Sequence, residues 1–257
     1  MPIITLTTDW GLRDFHLAAL KGALLSASAE AVFVDITHLV ESHNIAQGAF
    51  IFKNAYSSFP QGSIHFVGVG SFDETNKELL LIKRDGSYFI GMNDGFFSLV
   101  FEDKPVDIVA ITLSENAFAA YDFASIVKAA THVINGNNIY ELGSRPAHYV
   151  EKTIFRPVIE EDVIRGTIVY IDEFGNAITN ITQILFEQQK GKRKFEINAR
   201  RQQYTVNSLN TRYDETAQGN IIALFNTYGL LEIAINHGNA SRLLGLKQND
   251  TVRIDFH

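Results

Sequence analysis

The stretch IITLTTDWGLRDFHLAALKGALL, residues 3–25, decides the fold. Ile3 to Thr7 is a short run of β-branched and aliphatic residues, Asp9 and Gly11 are turn material, and Asp14 is placed to cap a helix. Leu17, Leu20 and Leu24 then recur at helical spacing, so strand, loop and helix follow in order. The alternation returns with a strand over Ala31 to Ile36 and a helix capped by Asn44 that carries Ile45, Ala49 and Phe52. Four more strand-like segments follow, Ser63 to Val69, Leu79 to Lys83, Tyr88 to Gly91 and Asp107 to Thr112, with a short helical stretch near Phe96 to Phe101 and a helix from about Asp122 to Ile134. Strands interleaved with helices predict a mainly parallel sheet covered on both faces, an α/β domain over residues 1–146. Ligands of such sheets sit beyond the carboxyl ends of the strands, which is where Asp9 falls.

Between residues 147 and 163 the periodicity lapses, with Pro146 just before and Pro157 inside, and this stretch is read as a linker. Beyond it the pattern changes to short alternating strands: Thr167 to Ile171, Lys194 to Ile197, Gln203 to Val206, Ile221 to Phe225, Leu230 to Ala234 and Val252 to Phe256. They predict a small β-barrel or sandwich over residues 164–257.

Composition narrows the function. The 257 residues carry a net charge of -7 and a pI near 5.6, and the basic clusters are confined to Lys190 to Lys194 and Arg200-Arg201, which argues against a nucleic-acid partner. The absence of cysteine excludes disulfides, thiolate metal sites and cysteine nucleophiles. An acidic residue at Asp9 comes too early for a secretory signal, and no apolar run is long enough to span a bilayer, so the expected setting is cytoplasmic, without a membrane partner.

Familiar catalytic motifs are missing. There is no Walker glycine loop, dinucleotide fingerprint, Gly-x-Ser-x-Gly elbow or His-Glu-x-x-His helix. Val67-Gly68-Val69-Gly70-Ser71 looks phosphate-friendly, but a strand end entering a turn needs the same residues and no Lys-Ser/Thr pair follows, so no phosphate site is read there. His16, His38, His43, His65, His132, His148, His237 and His257 include no helical pair with an acidic third ligand, so no metal site is expected. Two acid-bearing loops stand out. Asp9 and Asp14 bracket the first loop, where each is either a ligand group or turn and cap material. Asp172-Glu173-Phe174-Gly175-Asn176 follows the apolar run Gly166 to Ile171, and it reads either as a plain turn or as a nucleoside-recognition set: carboxylate for hydroxyls or amine, ring for the base face, carboxamide for the base edge.

Taken together, Thr8-Asp9-Trp10-Gly11 with Asp14 and Lys21-Gly22, Asp35-Ile36-Thr37-His38, Phe59-Pro60-Gln61-Gly62-Ser63-Ile64-His65, Asn93-Asp94-Gly95, the 172–176 stretch with Thr179-Asn180-Ile181, and Asn226-Thr227-Tyr228-Gly229-Leu230-Leu231-Glu232 resemble, in that order, the S-adenosylmethionine (SAM) hydroxide adenosyltransferase family, relatives of the adenosyl-fluoride and adenosyl-chloride synthases. The resemblance implies a Rossmann-like N-terminal domain, a C-terminal β-barrel and a homotrimer with ligand sites between one subunit's N-terminal domain and its neighbour's C-terminal domain. It implies Asp9 on the ribose hydroxyls, Asp14 near the methionine end, Phe118 beside the sugar, and Asp172, Phe174 and Asn176 around the methionine and adenine ends, with Thr227 and Tyr228 close by. SAM would be substrate, with no cofactor. The implied chemistry is displacement of methionine at the ribose C5′ by water, which yields adenosine and needs neither metal nor covalent intermediate.

The chain departs from that pattern where the family's hydrolases carry an Asp, an Arg and a His. Counting forward from His65 puts Gly70 at the Asp position and Lys77 at the Arg position, and the His position falls on Ala119. Asp73, Glu74 and Asp122 are the nearby acids able to substitute, and the Tyr, Thr and Ser of the halogenating relatives are not matched either. The catalytic residues are left unassigned, and two readings follow: a SAM hydrolase, or a silent protein that binds an adenosine compound.

Overall fold

The computed structural model describes residues 1–70, 78–113, 123–153, 156–199 and 205–257. The chain divides into two compact units, Met1–Ile154 and Phe155–His257.

In the first unit, β1 (Ile3–Thr8), β2 (Val32–Thr37), β3 (Ile64–Gly68), β4 (Glu78–Arg84), β5 (Ser87–Met92) and β6 (Asp107–Thr112) form one mixed sheet in the order β2-β1-β3-β5-β4-β6. The pairs β1 with β2, β1 with β3 and β3 with β5 are parallel, and β4 runs against both of its neighbours. Side chains alternate across this sheet with period two, and both faces are covered. Leu79 and Leu81 join a core with Ile4, Leu6 and Phe66 under α1 (His16–Ala27) and α4 (Phe123–Ile134). Leu80 and Ile82 face the other way, into a second core with Phe52, Phe89 and Phe96 from α2 (Ile45–Ala55), β5 and α3 (Phe96–Val100).

Helix ends explain the loops between these elements. Asn44 caps α2 as expected, its side chain accepting from Gln47 N at 3.0 Å. Asp14 does not cap α1: the helix starts at His16, Phe15 holds the cap position without a side-chain bond, and Asp14 is exposed. Residues 147–153 pack on the first unit, with Val150 N donating to Asn93 Oδ1 at 2.9 Å and Lys152 N to Ser98 Oγ at 2.8 Å.

The second unit is an antiparallel, nearly closed barrel-like sheet of β7 (Val158–Glu160), β8 (Val163–Ile171), β9 (Ala177–Thr182), β10 (Phe195–Ala199), β11 (Thr205–Val206), β12 (Ile221–Phe225), β13 (Leu230–Ile235) and β14 (Thr251–Phe256). Its path is β11-β10-β14-β8-β9-β13-β12, with β7 on β8, and Asn210 bridges across to Leu224 on β12 to draw the two ends together. Ile164, Ile168, Phe186, Leu231, Ile233 and Ile254 fill the interior, where Phe186 comes from α5 (Gln183–Lys190). Among the described residues no helix is long and apolar enough to cross a membrane.

One buried titratable group sits in the first unit's core. His65 on β3 is 1% exposed, pairs through Nδ1 with Thr5 Oγ1 at 2.8 Å and stacks on Phe89 at 4.9 Å between centroids. Burial pulls its pKa down from 6.5 to about 4. The unfolded chain therefore takes up a proton first, so stability is complete above pH 6.5 and is lost as pH falls toward 4. The expected loss is about 3 kcal/mol at full titration. Denaturant midpoints measured against pH check this, and His65→Asn, which cannot titrate in the window, is expected to flatten the slope.

Candidate functional site

The first unit gathers its polar groups at the carboxyl ends of β1, β3 and β5, which are adjacent and parallel. Asp9 follows β1 directly. Its Oδ2 accepts from His43 N at 2.8 Å and from Gly70 N at 3.3 Å, so one oxygen is fixed by two backbone donors from two other loops. Its Oδ1 has no protein partner among the described residues, which leaves an oriented acceptor for a ligand hydroxyl.

The loop that carries Asp9 is held from below by a chain of polar contacts. Trp10 N lies 3.4 Å from Thr8 Oγ1, Thr8 Oγ1 is 2.8 Å from His38 Nδ1, and His38 Nε2 is 3.1 Å from Asp35 Oδ1. Asp35 Oδ2 in turn receives Lys21 Nζ at 2.7 Å. Burial raises the Asp35 carboxyl, but Lys21 and His38 outweigh it and the net shift is downward. The Trp10 ring packs on Phe66 and Phe123 at 5.8 and 6.2 Å between centroids, which fixes the loop from its apolar side.

Asp94 follows β5 and faces Gly70 from the opposite side. Its Oδ1 accepts from Phe96 N at 2.9 Å, and a Cβ built on Gly70 would lie 2.7 Å from its Oδ2. Burial pushes its pKa up to about 6; the Phe96 N–H and the Lys152 charge pull it down, and Asp9 adds to the rise.

In the second unit, the stretch 172–176 is the turn between β8 and β9, closed by Asp172 N to Asn176 O at 3.1 Å and Gly175 N to Asp172 O at 2.9 Å. The Asp172 carboxylate is tied to Asn176, through Oδ1 from the backbone N at 2.8 Å and Oδ2 from Nδ2 at 3.0 Å. Turn and pocket coincide. Asp172, Phe174 and Asn176 line a cavity of about 610 Å³ together with Tyr213 and the segment from Ile235 to Asn239. That volume is within the ordinary range for a small-molecule site, and Phe174, 78% exposed, offers a ring face at its margin. Gly175 is indispensable to the turn, because its φ is +81° and a Cβ there would lie 2.1 Å from Asn239 Cγ.

Behind Tyr213, its hydroxyl donates to Glu232 Oε1 at 2.7 Å and Asn226 Nδ2 donates to Glu232 Oε2 at 3.2 Å. Burial raises the Glu232 pKa against both hydrogen bonds. Asn226 also accepts from Tyr228 N and Leu230 N, at 3.1 and 3.2 Å, and so shapes the turn that presents Thr227 and Tyr228. Those two side chains are exposed and do not belong to the lining of the cavity.

Asp9 and Asp14 thus belong to one unit and Asp172, Phe174, Asn176, Thr227 and Tyr228 to the other, with Asp14 exposed and no hydrogen bond to it among the described residues. Phe118 lies outside the described residues, as do Asp73, Glu74, Lys77, Ala119 and Asp122. Sequence reasoning gave no role to Asp94, Tyr213, Asn236, His237 or Asn239. The signal for the last three was the run Asn236-His237-Gly238-Asn239, a turn composition in which His237 takes a positive φ of 52°. Among the described residues no group of three or more His, Cys, Asp or Glu side chains is arranged to hold a metal ion.

Against known families, the SAM hydroxide adenosyltransferase N-terminal domain model matches residues 4–143 and the corresponding C-terminal domain model residues 166–253. The chain belongs to the SAM hydroxide adenosyltransferase family. It is 26% identical to an (R)-S-adenosyl-L-methionine hydrolase of Methanocaldococcus jannaschii, over 100% of this chain and 97% of that protein. A second protein of that name, from Thermus thermophilus, is 25% identical over 96% of this chain and 97% of its own length. The fluorinase of Nocardia brasiliensis is 22% identical over 70% of this chain and 71% of its own. In fold, the chain is similar to the crystal structure of an uncharacterized conserved protein from Thermotoga maritima, with a TM-score of 0.82, 23% identity, and coverage of 99% of this chain and 100% of that one.

Replacing Gly175 by Ala is expected to destabilise the second unit by about 1–3 kcal/mol through the positive φ. It also displaces Asn239, which caps the helix beginning at Ala240 by accepting from Arg242 N at 2.7 Å. Urea unfolding of the variant beside the unaltered protein measures the loss.

Proposed function

We propose that the protein binds S-adenosylmethionine and hydrolyses it to adenosine and L-methionine by displacement at the ribose C5′. The observation that carries this reading is Asp9, whose carboxylate is immobilised by the His43 and Gly70 N–H groups at the end of β1 with one oxygen left for a hydroxyl. A vicinal diol is the natural partner of such an acceptor, and the Asp172, Phe174 and Asn176 cavity supplies the acid, ring and amide that an adenosyl group with a charged amino-acid tail requires. Family membership and the names of its hydrolase relatives point the same way.

The reaction asks little of the protein. A sulfonium sulfur leaves as a neutral thioether, so the protein's part is to align water with the breaking bond, exclude bulk solvent and take up one proton. SAM is the substrate and no cofactor enters. Because the two recognition sets belong to different units, we place the complete site between a Rossmann-like N-terminal domain of one subunit and the C-terminal barrel of its neighbour in a homotrimer. A cytoplasmic setting, with no nucleic acid or membrane partner, fits a cysteine-free acidic chain.

Incubation of the pure protein with SAM, followed by chromatography, is expected to give adenosine and methionine in equal amounts. Asp9→Ala is expected to lose binding of SAM and of adenosine by at least about tenfold in calorimetry, the scale of one charge-assisted hydrogen bond to a ligand. Binding of SAM without adenosine above the protein-free control would assign the silent-binder role instead. Absence of both would remove the ligand.

A further inference from the structure

The geometry points to Asp94 as the catalytic base, the carboxylate that takes a proton from the attacking water; the assignment rests on the SAM-hydrolase reading. Three adjacent parallel strands deliver Asp9, Gly70 and Asp94 beyond their carboxyl ends. The two acids border the same glycine: Asp9 Oδ2 accepts its N–H, while Asp94 Oδ2 occupies the space a side chain on residue 70 would fill, 2.7 Å from the Cβ position. With a φ of +123°, residue 70 is held in a backbone conformation that side chains rarely adopt, so the chain reaches this spot with the carboxylate of the next strand instead.

The surroundings of the two acids suit different tasks. Asp9 has two backbone donors on one oxygen and is built to hold a ligand as a fixed acceptor. Asp94 accepts only within its own turn, from Phe96 N on Oδ1 and from its own backbone N–H, and among the described residues no other loop donates to it. The charged groups that act on it there are Lys152, whose aliphatic stem covers Gly95, and Asp9. A carboxyl drawn up to about 6 is a carboxylate at neutral pH and a stronger proton acceptor than an ordinary Asp.

The step balances without a co-reactant. The water oxygen forms its bond to C5′ as the C5′–S bond breaks, the bonding pair leaves on sulfur to give neutral methionine thioether, and one water proton passes to Asp94 Oδ2. The remaining proton stays on the new 5′-hydroxyl of adenosine, and Asp94 releases its proton to solvent before the next cycle.

Asp94→Asn tests the assignment, because the carboxamide keeps an Oδ1 acceptor for Phe96 N–H but cannot take a proton. The expected result is adenosine formation lowered about a hundredfold or more, with calorimetric SAM binding retained. In the unaltered protein, kcat is expected to fall as pH drops through about 6, and this limb should vanish from the residual activity of the variant. The unaltered profile needs no variant: a rate flat from pH 5 to 8, on the scale of about a tenfold loss per pH unit below the pKa, would overturn the assignment. Undiminished turnover by Asp94→Asn would overturn it too, and in both cases the hydrolase reading stands. No adenosine from the unaltered protein overturns that reading and the base assignment together.

Discussion

The first unit's site hangs on the bond between the Asp9 carboxylate and the backbone N–H groups of His43 and Gly70. A carboxylate this close to a hydrophobic core needs hydrogen-bond donors, and the sheet provides them by bringing the loops after β1, β2 and β3 to one end. The same contacts tie those loops to one another. Asp9 therefore fastens the end of the sheet while presenting its second oxygen, and the Lys21, Asp35, His38 and Thr8 chain beneath holds its backbone in place.

The second unit solves a related problem with a hairpin. Its Asp172 carboxylate is satisfied within the turn by Asn176, through main chain and side chain at once, so both groups are oriented before any ligand arrives. A second layer repeats the device, with buried Glu232 gripping Tyr213 and Asn226. Such prior ordering means that binding need not spend interaction energy on arranging the pocket.

What was legible in the sequence follows from these constraints. The strands β1 to β6 and β8, β10, β12, β13 and β14 announced themselves because a sheet covered on both faces, or a barrel filled on one, demands apolar runs or alternation. The weak places were local. Val158–Glu160 is exposed along its whole length and carries no alternation, and Ala177–Thr182 is nearly all buried, so neither shows a period of two. Gln183–Lys190 buries only Phe186, too little for a helical stripe. Asp14 has a capping residue's chemistry, but α1 starts two residues later, behind an exposed Phe15. For the site, the turn and ligand readings of 172–176 stood as rivals, yet the turn is what creates the ligand surface. Tyr213 was illegible because its place in the cavity arises from barrel closure rather than from spacing along the chain.

Asn93-Asp94-Gly95 is part of the family resemblance, but the role of Asp94 was illegible for a different reason. Counted along the chain, the position where the family resemblance implies an acid holds Gly70, and the acids nearest to it in sequence are Asp73 and Glu74. Parallel sheets do not keep neighbours in sequence together; they keep strand ends together, and β5 ends beside β3 although 24 residues separate Gly70 from Asp94. A glycine without a side chain and a carboxylate from the adjacent strand fill one volume, much as a single Asp would. Chemistry at such a sheet end is specified by which atoms converge there, and a chain can change which strand supplies them while the sheet itself stays as it is.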